Sequence, residues 1–175
     1  QTISSESIFE LAYGNRTGLY TLNRIKGLSL NALVHQYFEL KLPPIKIAVT
    51  GSGRVAKGII EVMNLMDIQE VEAENYCTKN FSYPVYVHLK GPNLYQHKST
   101  GTYLREHFHA YPQQYNCLFT QYYPHTDVLI NGIYWDENIP RLFEMHEVQN
   151  KNFNIQTIAD ITDDAMGSVP CIVGS

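Results

Sequence analysis

Lys46-Ile47-Ala48-Val49-Thr50-Gly51-Ser52-Gly53-Arg54-Val55-Ala56-Lys57-Gly58 sets an apolar, β-branched run directly against a glycine pair, and an amphipathic stretch follows. The run over 45–50 has no polar alternation, which suits a parallel strand covered on both faces. Val55, Ile59, Ile60, Val62, Met63 and Met66 recur at helical spacing, so a helix is expected over 55–66. Strand, glycine turn and helix in that order place free backbone N–H groups at a helix N-terminus, where a pyrophosphate can sit. Gly51 is expected to permit the tight turn and Gly53 to let a ligand approach bare backbone. Ala56 stands in the slot of the third glycine and still lets helix pack on strand. GxGxxA alone is a weak signal, so the context decides. Pro43-Pro44 closes the segment before the strand, and Glu72 follows Gly51 by about twenty positions, near the end of a second strand expected over 68–73. The fold expected is α/β: a Rossmann-type, three-layer arrangement with a mostly parallel sheet over 43–175, preceded by a helical segment over 1–42.

Bulk properties narrow the function classes. A chain of 175 residues can bury a real core as one domain. Its net charge of −4 and the lack of a basic stripe argue against a nucleic-acid surface. Cys77, Cys117 and Cys171 are odd in number and fit neither disulfide nor zinc spacing, so free thiols in a reducing, cytoplasmic setting are expected. No apolar run reaches the roughly 18 residues that span a bilayer, so no membrane partner is expected. The thirteen tyrosines are scattered and read as half-buried packing with a polar tip.

Within 1–42, Ser29 is a fair N-cap, and Leu30, Leu33, Val34, Tyr37, Phe38 and Leu42 recur at helical spacing. Residues 84–89 read as a short strand, with Pro84 suggesting an edge position. A helical pattern broken at Pro112 runs over 100–123, and a short helix is expected over 140–148. Two further strands are expected over 127–133 and 155–161. The strand ends then bring together Thr50-Gly51, Glu72, Asn131-Gly132 and 160–164, where open α/β sheets bind ligands.

Glu72 is the candidate for the adenosine ribose. A carboxylate accepts both ribose hydroxyls and repels a 2′-phosphate, and no Arg or Lys follows it until Lys79, which favours NAD; the alternative is a solvated surface charge. Arg54, at a helix start where the macrodipole disfavours a cation, either serves an anionic ligand or is simply exposed. Asp160, Asp163 and Asp164 crowd one strand end, as a functional cluster or as a turn cap; function is favoured for Asp164 and structure for Asp160. His107 and His109 are two apart, and no third ligand is spaced with them, so no metal site is expected.

Three blocks together resemble one family. The stretch 46–58, with Gly53-Arg54, looks like the cofactor loop of lysine-forming saccharopine dehydrogenases and their relatives. Thr126-Asp127-Val128-Leu129-Ile130-Asn131-Gly132-Ile133-Tyr134-Trp135 resembles that family's ADxxINxIY strand, and Pro140-Arg141-Leu142-Phe143 its APxLF segment. Ile158-Ala159-Asp160-Ile161-Thr162-Asp163-Asp164 resembles the VxDxSxD strand end shared with alanine dehydrogenase and the NAD-binding domain of transhydrogenase. Ala12-Tyr13-Gly14-Asn15-Arg16-Thr17-Gly18-Leu19 looks like the helix that enters the nucleotide domain in these enzymes, while 76–124 match only loosely.

Position by position, the resemblance implies that Gly51, Ser52, Gly53, Arg54 and Val55 contact an NAD cofactor and Glu72 its ribose. Asn131, Gly132 and Ile133 would serve the nicotinamide end, with Asp160 beside them, and Asp164 would take the catalytic carboxylate's place. Ala56 for the third glycine, and Asp164-Ala165-Met166-Gly167 where alanine dehydrogenases have DQGG, are departures. The resemblance further implies an amino-acid or opine dehydrogenase whose amino-acid or keto-acid substrate is held largely by a second domain outside this chain, and it is compatible with a homo-oligomer. A non-catalytic NAD(H)-sensing module and a methyltransferase using S-adenosylmethionine are the rival expectations.

Overall fold

A computed structural model describes residues 42–162 and 167–171. The segment expected to be helical over 1–42 lies, apart from Leu42, outside the described residues, as do Asp163 and Asp164. Strand β1 (Lys46–Thr50) pairs in parallel on both sides, with β3 (Val85–Leu89) and β6 (Val128–Asn131). The outer strands are β2 (Gln69–Glu70) beside β3 and β7 (Thr157–Asp160) beside β6, all parallel, in the order β2-β3-β1-β6-β7. The α/β, mostly parallel architecture expected from the glycine stretch is the one formed. Ile47, Ala48, Val49 and Thr50 are all buried, because a central parallel strand has no solvated face.

Helix α1 (Arg54–Leu65) follows the glycine turn and buries Ala56, Ile59 and Met63 against one sheet face, where Ile47, Val49, Val128 and Ile130 meet it. Full burial of side chains such as Ile59 and Met63 contributes about 1.5–3 kcal/mol each. The helix ends where the Ile68 N–H donates to the Met63 carbonyl and Asp67 takes a left-handed backbone, φ 55°. The other face carries Ala48, Val87, Leu89 and Leu129. It is covered by helix α2 (Ala73–Thr78) through the buried Tyr76 and by an aromatic-rich excursion between β3 and β6. That excursion contains an antiparallel pair, β4 (Tyr95–His97) with β5 (Tyr115–Cys117), and a short helix, α3 (Arg105–Ala110).

Several local expectations are corrected. The strand over 85–89 is not an edge strand: its burial is nearly complete, so it takes the place beside β1, and Pro84 merely precedes it. The strand expected over 68–73 shrinks to Gln69–Glu70, both exposed, and these polar residues make it the edge. The helical pattern over 100–123 resolves into α3, β5 and 3₁₀ turns, since Pro112 breaks it and the aromatic residues pack inward singly. Over 140–148 only a 3₁₀ turn forms, Met145–Gln149, started by a reciprocal Glu144–Glu147 capping box. Leu142 and Phe143, neighbours in sequence, are both buried just ahead of it. Among the described residues no helix is long and apolar enough to cross a membrane.

A half-buried lysine ties the layers together. The Lys46 ammonium donates to the carbonyls of Tyr76 (2.8 Å) and Lys79 (2.7 Å) at the C-terminal end of α2, while lying over the Tyr76 and Phe81 rings. A cation belongs at that end of a helix, and burial lowers its pKa from the usual lysine value.

Candidate functional site: a basic cleft over the glycine turn

The carboxyl ends of the strands are level: Thr50 aligns with Leu89 and Asn131, and Asn131 with Asp160. The Gly51 N–H donates to Leu89 (3.1 Å), and the Gly132 N–H to Thr50 (3.0 Å), so the turn leaves the sheet still bonded to both neighbours. Gly51 has φ +111°, and a Cβ there would collide with the Gly132 carbonyl. His88, one strand over, donates from Nε2 to the Gly51 carbonyl at 2.7 Å and fixes the turn from below. A Cβ on Gly132 would crowd the Ile59 and Val55 side chains at 3.0 and 3.2 Å and the Ala56 backbone nitrogen at 3.3 Å, so the start of α1 lies close against this turn. The small, fully buried Ala56 in the third-glycine slot suits that close packing.

Gly53 differs. Its φ is −82°, open to any residue, and a Cβ on it would meet no protein atom within 4 Å. Neither backbone conformation nor packing demands glycine there. It is the N-cap of α1, with no side-chain cap and no acidic residue in the first turn, so the leading N–H groups of the helix are offered to the cleft.

Below the turn lies a buried polar brace. Asn131 accepts from the Thr50 hydroxyl (2.6 Å) and donates to Asp160 Oδ1 (2.9 Å) and to Ser168 Oγ (2.8 Å). Thr162 closes it, donating to the same Asp160 oxygen from N–H and hydroxyl at 3.1 and 2.8 Å. Thr50, Asn131 and Ser168 are completely buried. Asn131 and Asp160 therefore sit beneath the cleft surface and hold the ends of β1, β6 and β7 together, while Gly132 and Ile133 line the cleft. Among the described residues the buried Asp160 Oδ2 has no hydrogen-bond partner.

The surface itself is a cleft of about 570 Å³, within the usual size of ligand sites. Gly51 to Val55 form one wall, and Gly132, Ile133, Tyr134 and Trp135 form one end. Lys90 and Gly91, directly after β3, and Leu94, Tyr95, Tyr103, Arg105, Phe108 and His109 from the excursion supply most of the rest, with Ile139 and Thr162 completing it. Among the described residues no Asp or Glu lines it. Among the described residues Arg54, Lys90 and Arg105 make no ion pair, in a chain whose net charge is −4.

Of the residues singled out from sequence, Gly51, Ser52, Gly53, Arg54, Val55, Gly132 and Ile133 are brought together. Glu72 is not among them. Because β2 is the edge strand, Glu72 lines a separate hollow with Glu70, Asn75 and Lys79, and Lys90 stands at the end of the strand beside β1. Lys90, Tyr103 and Arg105 were missed, and His109 was weighed only as a metal ligand, because they lie in the excursion, whose local pattern does not point to the cleft. The one available signal was Lys90-Gly91 closing an apolar, β-branched run.

No known family profile matches the chain. Sequence comparison does find relatives: alpha-aminoadipic semialdehyde synthase of Mus musculus, named as mitochondrial, is 33% identical over 61% of this chain. The Bos taurus protein of that name, also mitochondrial, is 30% identical over 80%, and the Arabidopsis thaliana protein 26% over 78%. The matched stretch is only 12%, 17% and 15% of those proteins. The chain is thus related in sequence to a short portion of the alpha-aminoadipic semialdehyde synthases.

Proposed function

We propose that this chain is the nicotinamide-dinucleotide-binding part of an amino-acid or opine oxidoreductase of the saccharopine dehydrogenase kind. Gly53 carries the reading: a glycine that neither φ nor packing requires, at a helix N-terminus facing a cleft whose three cations make no ion pair among the described residues. The close approach of a ligand's phosphates accounts for it. Bound there, the dinucleotide supplies hydride chemistry, and this chain's residues bind and orient it. Arg54 meets the pyrophosphate, Ser52 and Val55 flank it, and Gly132 and Ile133 floor the nicotinamide end, braced by Asn131 and Asp160. Asp164 is proposed as the carboxylate near the reacting carbon. An amino-acid or keto-acid substrate is completed by a second domain, and catalysis by the isolated chain is not expected. Nucleic acid and membrane have no place in this reading, and a homo-oligomer is compatible with it. The cytoplasmic location suggested by the cysteines stands against the mitochondrial one in the names of the mammalian relatives, and cell fractionation separates the two.

NAD was expected because Glu72 would hold the ribose. With Glu72 in the outer hollow and Lys90 at the cleft, NAD is kept as a proposal to be measured against its 2′-phosphorylated form. The test is calorimetric titration of the chain with NADH, NADPH and S-adenosylmethionine, repeated on Gly53→Val. The reading requires binding of a nicotinamide dinucleotide that is lost in the variant while its melting temperature stays within a degree or two. Binding of S-adenosylmethionine alone, or full binding by Gly53→Val, would sink it.

A further inference from the structure

The excursion between β3 and β6 does more than cover a sheet face. Its helix α3 is held by Phe108, buried and stacked on Tyr95 at 4.4 Å, with Tyr115 edge-on at 5.1 Å and Tyr103 at 5.5 Å. The start of the excursion is fixed as well. Gly91 has φ +49°, and the Tyr103 ring lies against it, 3.1 Å from where a Cβ would stand. Backbone bonds from Leu118 to Leu94 (2.7 Å) and from Lys98 to Gln114 (2.9 Å) close it further. A rigid support of this kind can aim a side chain.

Positions 105, 108 and 109 share one face of α3 by helical spacing. Phe108 is the anchor, and all three line the cleft that the glycine turn lines. Helix α1 packs on one sheet face and the excursion on the other, so Gly53-Arg54 and Arg105 belong to opposite walls. Arg105 is exposed, and among the described residues no carboxylate lines the cleft to neutralise it. The ordinary dinucleotide loop grips a pyrophosphate from the α1 side alone.

We propose that Arg105, mounted on this aromatic support, is a second pyrophosphate-binding residue that grips the dinucleotide from the wall opposite the glycine turn, with Lys90 beside it. The inference rests on the dinucleotide reading of the cleft and adds the excursion to the binding machinery. A guanidinium presents a planar fork that matches two phosphate oxygens, which an ammonium does not.

The experiment titrates the 175-residue chain, Arg105→Ala and Arg105→Lys with NADH, NADPH and ADP, at low and moderate salt. Arg105→Ala is expected to weaken all three about ten- to a hundredfold, the range for a lost charge-assisted hydrogen bond. Its affinity should also depend less steeply on salt, with the melting temperature unchanged because Arg105 is exposed. Arg105→Lys should recover only part of the loss. A loss confined to NADPH would place Arg105 at the 2′-phosphate and overturn the proposal, as would unaltered binding of NADH and ADP. Loss in Gly53→Val without loss in Arg105→Ala would leave the cofactor reading standing and remove the clamp. A wild-type chain that binds none of the three would remove both.

Discussion

Two glycines a residue apart carry opposite meanings. Gly51 is dictated by the fold, through φ +111° and the Gly132 carbonyl against it, whereas the surroundings of Gly53 would accept a methyl group. The sequence motif treats them alike; the geometry separates them. Gly51→Ala is expected to cost about 3 kcal/mol, from a backbone conformation that L residues rarely adopt plus a steric overlap that must be relieved. Gly53→Ala should change stability by less than about 0.5 kcal/mol. Urea denaturation of the two variants checks this: equal losses would mean that the turn is not built as described. The brace below shows the same division between holding and touching. Asn131 spends both ends of its amide on Thr50, Asp160 and Ser168, so it shapes the cleft indirectly, through the placement of Gly132 and Ile133. From sequence alone it read as a contact residue, because a polar residue at a strand end looks the same whether it faces up or inward.

At the scale of elements, the strand–turn–helix unit was legible because every local signal agreed: a β-branched run, glycines, then apolar residues at helical spacing. The order of the strands was not. Chain order suggests that the strand after α1 lies beside β1, but Gln69 and Glu70 are polar and exposed, while Val85 to Leu89 form the stronger apolar strand and win the central place. That exchange moves Glu72 away from the cleft and brings Lys90 to it, a consequence of pairing energetics that no local motif encodes. The excursion was illegible for a related reason. Its aromatic residues pack one by one, many from turns, so the helical period read over 100–123 holds only for Arg105–Ala110. The end of α1 is a weak point, since Asp67 holds φ 55° where glycine is the natural residue. Asp67→Gly should stabilise the protein by about 0.5–1 kcal/mol, strain relief exceeding the added chain entropy. Thermal melts would show it as a rise of a few degrees, and a fall would mean that Asp67 makes a compensating contact.

For the whole molecule, the unusual tyrosine content becomes a pH dependence. Burial pushes the Tyr86 hydroxyl up to about 12, with Glu70 adding to it, and the Cys117 thiol up to about 12; the Tyr76 and Tyr95 hydroxyls are raised further. Each group ionises at a higher pH folded than unfolded, where the values are about 10 for tyrosine and about 9 for cysteine. The unfolded chain therefore releases these protons first. The stability they protect is whole below pH 9 and drains away as pH climbs through 9 toward 12. Lys46 opposes this weakly: its pKa is lowered by burial, so its contribution grows as pH rises toward the ordinary lysine value. Urea midpoints should be level from pH 7 to 9 and fall steadily to pH 11, with Cys117→Val removing the earliest part of the fall. Tyr95 and Cys117 lie in the excursion while β1, β3 and β6 carry no such groups apart from Tyr86. The excursion should accordingly loosen first. Dinucleotide affinity would then decline at a pH where the far-ultraviolet signal of the sheet is still intact, because the wall bearing Arg105 depends on the packing that ionisation undoes. If affinity and sheet signal fell together, the excursion and the sheet would be one cooperative unit, and its aromatic packing would be sturdier than its exposed polar residues suggest.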